Sequence, residues 1–92
     1  MKTIRTVQEL NNELAIQRQN GKRVSFVPTM GAIHDGHLSL IAIAKKDSDF
    51  VVASIFVNPL QFNSPTDFDL YPRTESADSS ALESAGTDIL FL

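Results

Sequence analysis

Apolar positions recur at helical spacing in the first part of the chain, where Val7, Leu10 and Leu14 keep one face of an otherwise polar segment. Thr6 and Glu9 have the spacing of a capping box at its start, Gly21 stands just past its end, and Lys22 and Arg23 follow near its negative pole. This predicts a helix from 7 to 19, preceded by a short Thr3-Ile4-Arg5 segment. The pattern then changes. Arg23 to Val27 reads as a first central strand, broken at Pro28, and Phe50 to Val57 is a near-continuous run of β-branched and aromatic residues, as in a parallel strand covered on both faces. Between them Leu38, Ile41 and Ala42 make one helical face and Leu40, Ile43 and Ala44 the other, which predicts a mostly buried helix. The stretch from Asn63 to Arg73 is polar and rich in turn residues. Thr74 then caps a helix lined by Ala77, Ala81, Leu82 and Ala85, closed by Gly86 before a last apolar strand, Asp88 to Leu92.

Strand, helix, strand, helix, strand at this spacing predicts an α/β chain: two right-handed βαβ units, the first part of a Rossmann-like doubly wound parallel sheet. With 92 residues there is room for one domain at most, and no internal repeat or linker interrupts it. A final apolar strand lying at or near an edge predicts self-association through that edge, or a homodimer.

Composition narrows the function. A hydrophobic content of 42% excludes collagen-like, low-complexity and disordered classes, and a net charge of -3 leaves no electrostatic footprint for nucleic acid or anionic membrane. No apolar run is long enough for a membrane span, and the amino terminus does not read as a signal peptide. The absence of cysteine excludes disulfides and thiolate chemistry and suits a reducing cytoplasm.

The most informative segment is the handover from the first strand to the second helix, Pro28-Thr29-Met30-Gly31-Ala32-Ile33-His34-Asp35-Gly36-His37. A helix N-terminus carries unpartnered N–H groups and a positive dipole end, so an anion is stabilised there, and two histidines one turn apart add donors. In open α/β sheets ligands sit beyond the carboxyl ends of the strands, which places this segment and Asn58 to Phe62 on one crevice. A zinc site is the competing use of His-x-x-His, but it needs a third ligand, and no carboxylate converges on the pair. Asp67 and Asp69 read as solvated turn residues rather than an acid–base pair.

Three blocks in order, Pro28 to His37, Ser54-Ile55-Phe56-Val57-Asn58-Pro59-Leu60-Gln61-Phe62 and Tyr71-Pro72-Arg73-Thr74, resemble the pantothenate synthetase (pantoate-β-alanine ligase) family, within the nucleotidyltransferases that carry a His-x-Gly-His motif. The resemblance covers nearly all of the chain. It implies that residues 1–92 are the N-terminal portion of a nucleotide-binding domain, without the family's later strands, its lysine-bearing ATP loop and its C-terminal lid domain. The implied activity is ATP-dependent condensation of (R)-pantoate with β-alanine through pantoyl adenylate, with Mg2+ accompanying ATP, the isolated chain being inactive. The alternative is a non-catalytic nucleotide-binding or oligomerising module.

Carried over by position, Met30, Gly31, Ala32, Ile33, His34, Asp35, Gly36 and His37 match the ATP-binding segment, His37 the catalytic proton donor, and Gln61 the glutamine that contacts pantoate and β-alanine. Thr29, Met30 and Asn58 are expected to line the pantoate side. Departure of pyrophosphate calls for charge stabilisation more than full proton transfer, so His37 is expected to act mainly as a hydrogen-bond donor. Gly31 and Gly36 are expected to let the backbone approach the nucleotide. Tyr71 to Thr74 stay outside the catalytic set, with Pro72 ending a loop, Thr74 capping and Arg73 on the surface.

Overall fold

The computed structural model describes residues 1–92. Its strands are β1 (Lys2–Ile4), β2 (Val24–Thr29), β3 (Phe50–Ile55) and β4 (Ile89–Phe91), all parallel, in the order β1-β4-β3-β2. The helices are α1 (Val7–Gln19), α2 (Asp35–Asp47), α3 (Pro65–Leu70) and α4 (Glu75–Ser84). Each face of the sheet has its own apolar cluster. Val27, Ile41, Ala44, Val51, Ala53, Leu82 and Leu90 join the sheet to α2 and α4, whereas Ile4, Phe50, Val52 and Ile89 pack with Leu10 and Leu14 of α1. Successive side chains of a strand point to opposite faces, so the unbroken apolar run in β3 feeds both clusters, and Phe50 to Ser54 are all buried.

The helix over 7–19 and the parallel α/β sheet agree with the sequence pattern. Thr6 caps α1 by accepting from the Glu9 amide at 3.2 Å, the half of the capping box that the structure contains. Several expectations need correction. The strand at Ile89–Phe91 is not an edge: it lies between β1 and β3, because Lys2-Thr3-Ile4 pairs along it. Self-association through that strand is therefore ruled out, and the outer strands are β1 and β2. Within residues 1–92 β2 pairs with β3 alone, and it continues through Pro28 to Thr29 where the sequence pattern ends it at Val27. An outer strand tolerates the missing proline N–H, so Pro28 does not end it.

Helix α2 is covered on one side only. Ile41 and Ala44 are buried, but Leu40 and Ile43 remain 50% and 56% exposed, because no element of the chain packs on that face. The polar stretch after Asn63 contains α3, started by Ser64, whose hydroxyl accepts from the Asp67 amide, with Pro65 at the first helical position. Asp67 and Asp69 are exposed on it, consistent with their reading as solvated residues.

Candidate functional site

The carboxyl ends of β2 and β3 lie side by side, with Thr29 in register with Ile55. The segments that leave them wall an open groove of about 590 Å³, lined by Thr29, Met30, Ala32, His34, His37, Asn58, Gln61 and Tyr71 among others. The histidine segment and Gln61 therefore face one compartment, as the topology predicted. Gly31, Ile33, Asp35 and Gly36 belong to the same turn but do not line the groove.

The turn is built tightly. The Thr29 hydroxyl donates to the Ser54 carbonyl at 2.8 Å and accepts from the Gly31 amide at 3.1 Å, so it ties β2 to β3 rather than standing free for a ligand. Gly31 has φ +82° and Ala32 φ 51°, the only left-handed non-glycine residue in the chain. Gly31 is needed for that conformation and for space, since a Cβ there would stand 3.1 Å from a carboxylate oxygen of Asp78 and 3.2 Å from Ile55. Gly36 is needed for another reason: a Cβ would lie 2.8 Å from Cε1 and 3.0 Å from Nδ1 of His34. Both glycines thus make room for protein groups.

Helix α2 opens at Asp35 with His34 as its cap. The Gly36 amide donates to His34 Nδ1 at 3.0 Å, and the His34 amide donates to His37 Nδ1 at 3.2 Å, a reciprocal cap built from two imidazoles whose centroids are 4.1 Å apart. An imidazole that accepts at Nδ1 carries its proton on Nε2 when neutral. Each ring is thereby set as an Nε2–H donor. The pKa of His37 is lowered from its ordinary value, first by desolvation, then by neighbouring His34, with Asp78 opposing. The fold thus favours a neutral His37 that donates hydrogen bonds.

Several amides of this segment already have protein partners. Besides those of His34 and Gly36, the Ala32 and Ile33 amides donate to the two oxygens of Asp78 at 3.0 and 2.9 Å. Sequence reasoning missed Asp78, a carboxylate one turn before Leu82 on the buried face of α4. Thr74 begins α4, but its hydroxyl donates to Asp78 Oδ1 at 3.1 Å and makes no side-chain cap.

At the end of β3, Asn58 Oδ1 caps the short 3-10 turn Pro59–Gln61 by accepting from the Leu60 amide at 3.0 Å, which leaves its NH2 donors without a protein partner. The Gln61 side chain is exposed and makes no hydrogen bond within the chain. Tyr71 also lines the groove, propped edge-on against Phe62 at 5.5 Å, so the Tyr71–Thr74 block contributes a wall. Arg73 lies on the surface as expected, where it donates to the Phe68, Asp69 and Tyr71 carbonyls and lies over the Phe68 ring, closing the end of α3. No group of three or more His, Cys, Asp or Glu side chains could hold a metal ion.

The family model for pantoate-beta-alanine ligase matches residues 2–92. The chain belongs to the pantoate-β-alanine ligase family. It is 56% identical over 91 residues to the pantothenate synthetase of Pseudomonas fluorescens strain Pf0-1 and 51% identical over 92 residues to that of Listeria monocytogenes, covering 99% and 100% of this chain and 32% of each relative. The chain thus spans about a third of the length of these curated relatives. Among solved structures it is similar to pantothenate synthetase from Thermus thermophilus (TM-score 0.85, 48% identity, 99% of this chain and 31% of that one). It is also similar to the Francisella tularensis ligase complexed with beta-gamma ATP and beta-alanine (TM-score 0.86, 41% identity, 99% and 34%). No helix is long and apolar enough to cross a membrane.

Proposed function

We propose that residues 1–92 form the amino-terminal, nucleotide-binding portion of an ATP-dependent ligase that joins (R)-pantoate to β-alanine in the cytoplasm. A pantoate carboxylate oxygen attacks the α-phosphorus of ATP, the bond to the β-phosphate oxygen breaks, and pyrophosphate leaves. The β-alanine amine then attacks the acyl carbon of pantoyl adenylate, releasing AMP and a proton. Charge develops on pyrophosphate in the first step, where fixed donors act most strongly. The histidine pair is suited to that task, with both Nε2–H groups set by their Nδ1 bonds. His37 serves as a hydrogen-bond donor to phosphate, since a neutral imidazole is too weak an acid to hand over its Nε2 proton and the leaving pyrophosphate needs charge stabilisation rather than protonation. Gln61 and the NH2 of Asn58, on the opposite wall, are suited to the small acid and to β-alanine.

The observation that carries this reading is the single groove shared by His34, His37, Asn58 and Gln61 at adjacent strand ends. The ligand pair of the Francisella ligase supports the substrates by family membership. Mg2+ enters with the nucleotide on its phosphates, a habit of this ion that needs no all-protein cage. Residues 1–92 offer no such cage. A homodimer belongs to the same proposal.

The test uses residues 1–92 joined to the downstream two-thirds of the Pseudomonas fluorescens relative, here called the joined chain. It should catalyse pantoate-dependent exchange of pyrophosphate into ATP and, with β-alanine, release AMP. His37→Ala should stay folded and lose about 100-fold in exchange rate. Exchange that ignores pantoate, or an unchanged rate in the variant, contradicts the proposal.

A further inference from the structure

Asp78 is 4% exposed, on the buried side of α4, in a chain whose other carboxylates reach solvent more freely. Its two oxygens accept from the Ala32 amide at 3.0 Å, the Ile33 amide at 2.9 Å and the Thr74 hydroxyl at 3.1 Å. Such a carboxylate is costly to bury unless its acceptors are filled, and three donors fill them. The donors are not scattered: two are consecutive amides of the turn that delivers His34. One belongs to Ala32, whose left-handed φ of 51° an alanine avoids without outside support.

From this geometry we propose that Asp78 is the positioning residue of the site. By clamping the Ala32 and Ile33 amides it holds the left-handed turn that aims the Nε2–H groups of His34 and His37 into the groove. The link runs through consecutive bonds. Asp78 fixes Ala32 and Ile33; Ile33 leads into His34; the His34 amide holds His37 Nδ1, and His34 Nδ1 holds the Gly36 amide. Packing closes the clamp from below, because a Cβ on Gly31 would meet the same carboxylate at 3.1 Å. Leu82, one turn after Asp78 and fully buried, anchors α4 in the core, so the carboxylate is presented from a fixed element. Asp78 touches no reacting atom in this scheme. It acts through the histidines, and its effect on rate rests on the ligase reading above, whereas its effect on the turn does not.

The clamp also changes which groups a polyphosphate can use. The Ala32 and Ile33 amides, which a bare helix entrance would offer to an anion, face a carboxylate. The imidazole donors carry the anion contact.

In the joined chain, Asp78→Asn keeps the side chain's size but turns one acceptor into an NH2 facing an amide. Amide hydrogen exchange at Ala32 and Ile33 should rise by about tenfold or more, and the His37 ring resonances should shift. Pyrophosphate exchange should fall by about 10- to 100-fold, as for a small misplacement of a catalytic donor. In a His34→Ala/His37→Ala background the same Asp78→Asn change should cost less than about twofold, because a residue acting through the histidines has nothing left to aim. A full, multiplicative loss in that background overturns the proposal, as do unchanged amide exchange and ring resonances in the single variant. If the joined chain lacks pantoate-dependent exchange, the ligase reading fails and the amide and ring measurements alone decide this one. Should Asp78→Asn fail to fold, Thr74→Val, which removes only the hydroxyl bond to Oδ1, should show the same effects at smaller size. Its absence of any effect on the two amides counts against the clamp.

Discussion

Gly36→Ala separates stability from function at this site. The new methyl carbon would sit 2.8 Å from Cε1 and 3.0 Å from Nδ1 of His34, well inside van der Waals contact. The obstacle is a partly exposed imidazole rather than backbone, so the ring swings away and the 3.0 Å bond from the residue 36 amide is lost. Loss of a side-chain cap costs about 0.5–2 kcal/mol. Replacing glycine by alanine inside a helix returns about 0.8–1 kcal/mol. The two nearly cancel, so the thermal midpoint of the joined chain should move little, corresponding to less than about 1 kcal/mol. Function should not be spared. In the proposed function a displaced His34 Nε2–H no longer meets phosphate, and a hydrogen bond to a charged group is worth about 1.5–3 kcal/mol, so pyrophosphate exchange should fall by about 10- to 100-fold. The assay is the exchange rate at saturating pantoate beside a thermal melt of the same preparation. Exchange within about twofold of the parent, with His34 unmoved in a structure of the variant, would refute the steric reasoning.

The lowered pKa of His37 gives a pH dependence of defined sign: the folded chain binds this proton less readily than the unfolded one, so the contribution is complete above the ordinary value near 6.5 and is lost as pH falls below it. His37→Gln, which keeps an acceptor for the His34 amide but does not titrate, should flatten the fall in stability between about pH 7 and pH 5 that denaturant melts record in the parent; an unaltered slope contradicts the assignment. Thr87 is buried with a hydroxyl that has no hydrogen-bond partner, so Thr87→Val should be neutral or stabilise the joined chain by about 1 kcal/mol in urea, and a loss of that size would show that the hydroxyl is satisfied.

Much of the architecture was legible because periodicity reports burial. The run in β3 and the face of α1 gave their elements directly. What the pattern could not convey was which elements cover which. Leu40 and Ile43 have the same chemistry as Ile41, and only the spatial arrangement leaves them outside. Lys2-Thr3-Ile4 is too short to announce a strand, yet its pairing with Ile89–Phe91 removes the supposed edge. The histidines, Gln61 and Asn58 were found by spacing and resemblance, and they do share a groove. Asp78 was not, because a single acidic residue at the start of a helix ordinarily signals a favourable dipole position. The sharper signal was its place one turn before a buried leucine, on a face that should be apolar. The role of Gly36 was hidden for a similar reason: only a built His34 ring shows what its missing Cβ avoids.

At the centre of the proposed function stands the His37 imidazole, whose Nδ1 accepts from the His34 amide and whose Nε2–H is proposed to meet the nucleotide. Nitrogen-15 spectra of the joined chain, labelled on histidine and titrated with a non-hydrolysable ATP analogue at neutral pH, observe that proton directly. His37 should appear as the neutral Nε2–H tautomer before addition, and the Nε2 resonance should move as phosphate binds while Nδ1 stays unprotonated. A His37 protonated on Nδ1, or a spectrum indifferent to the nucleotide, contradicts the mechanism.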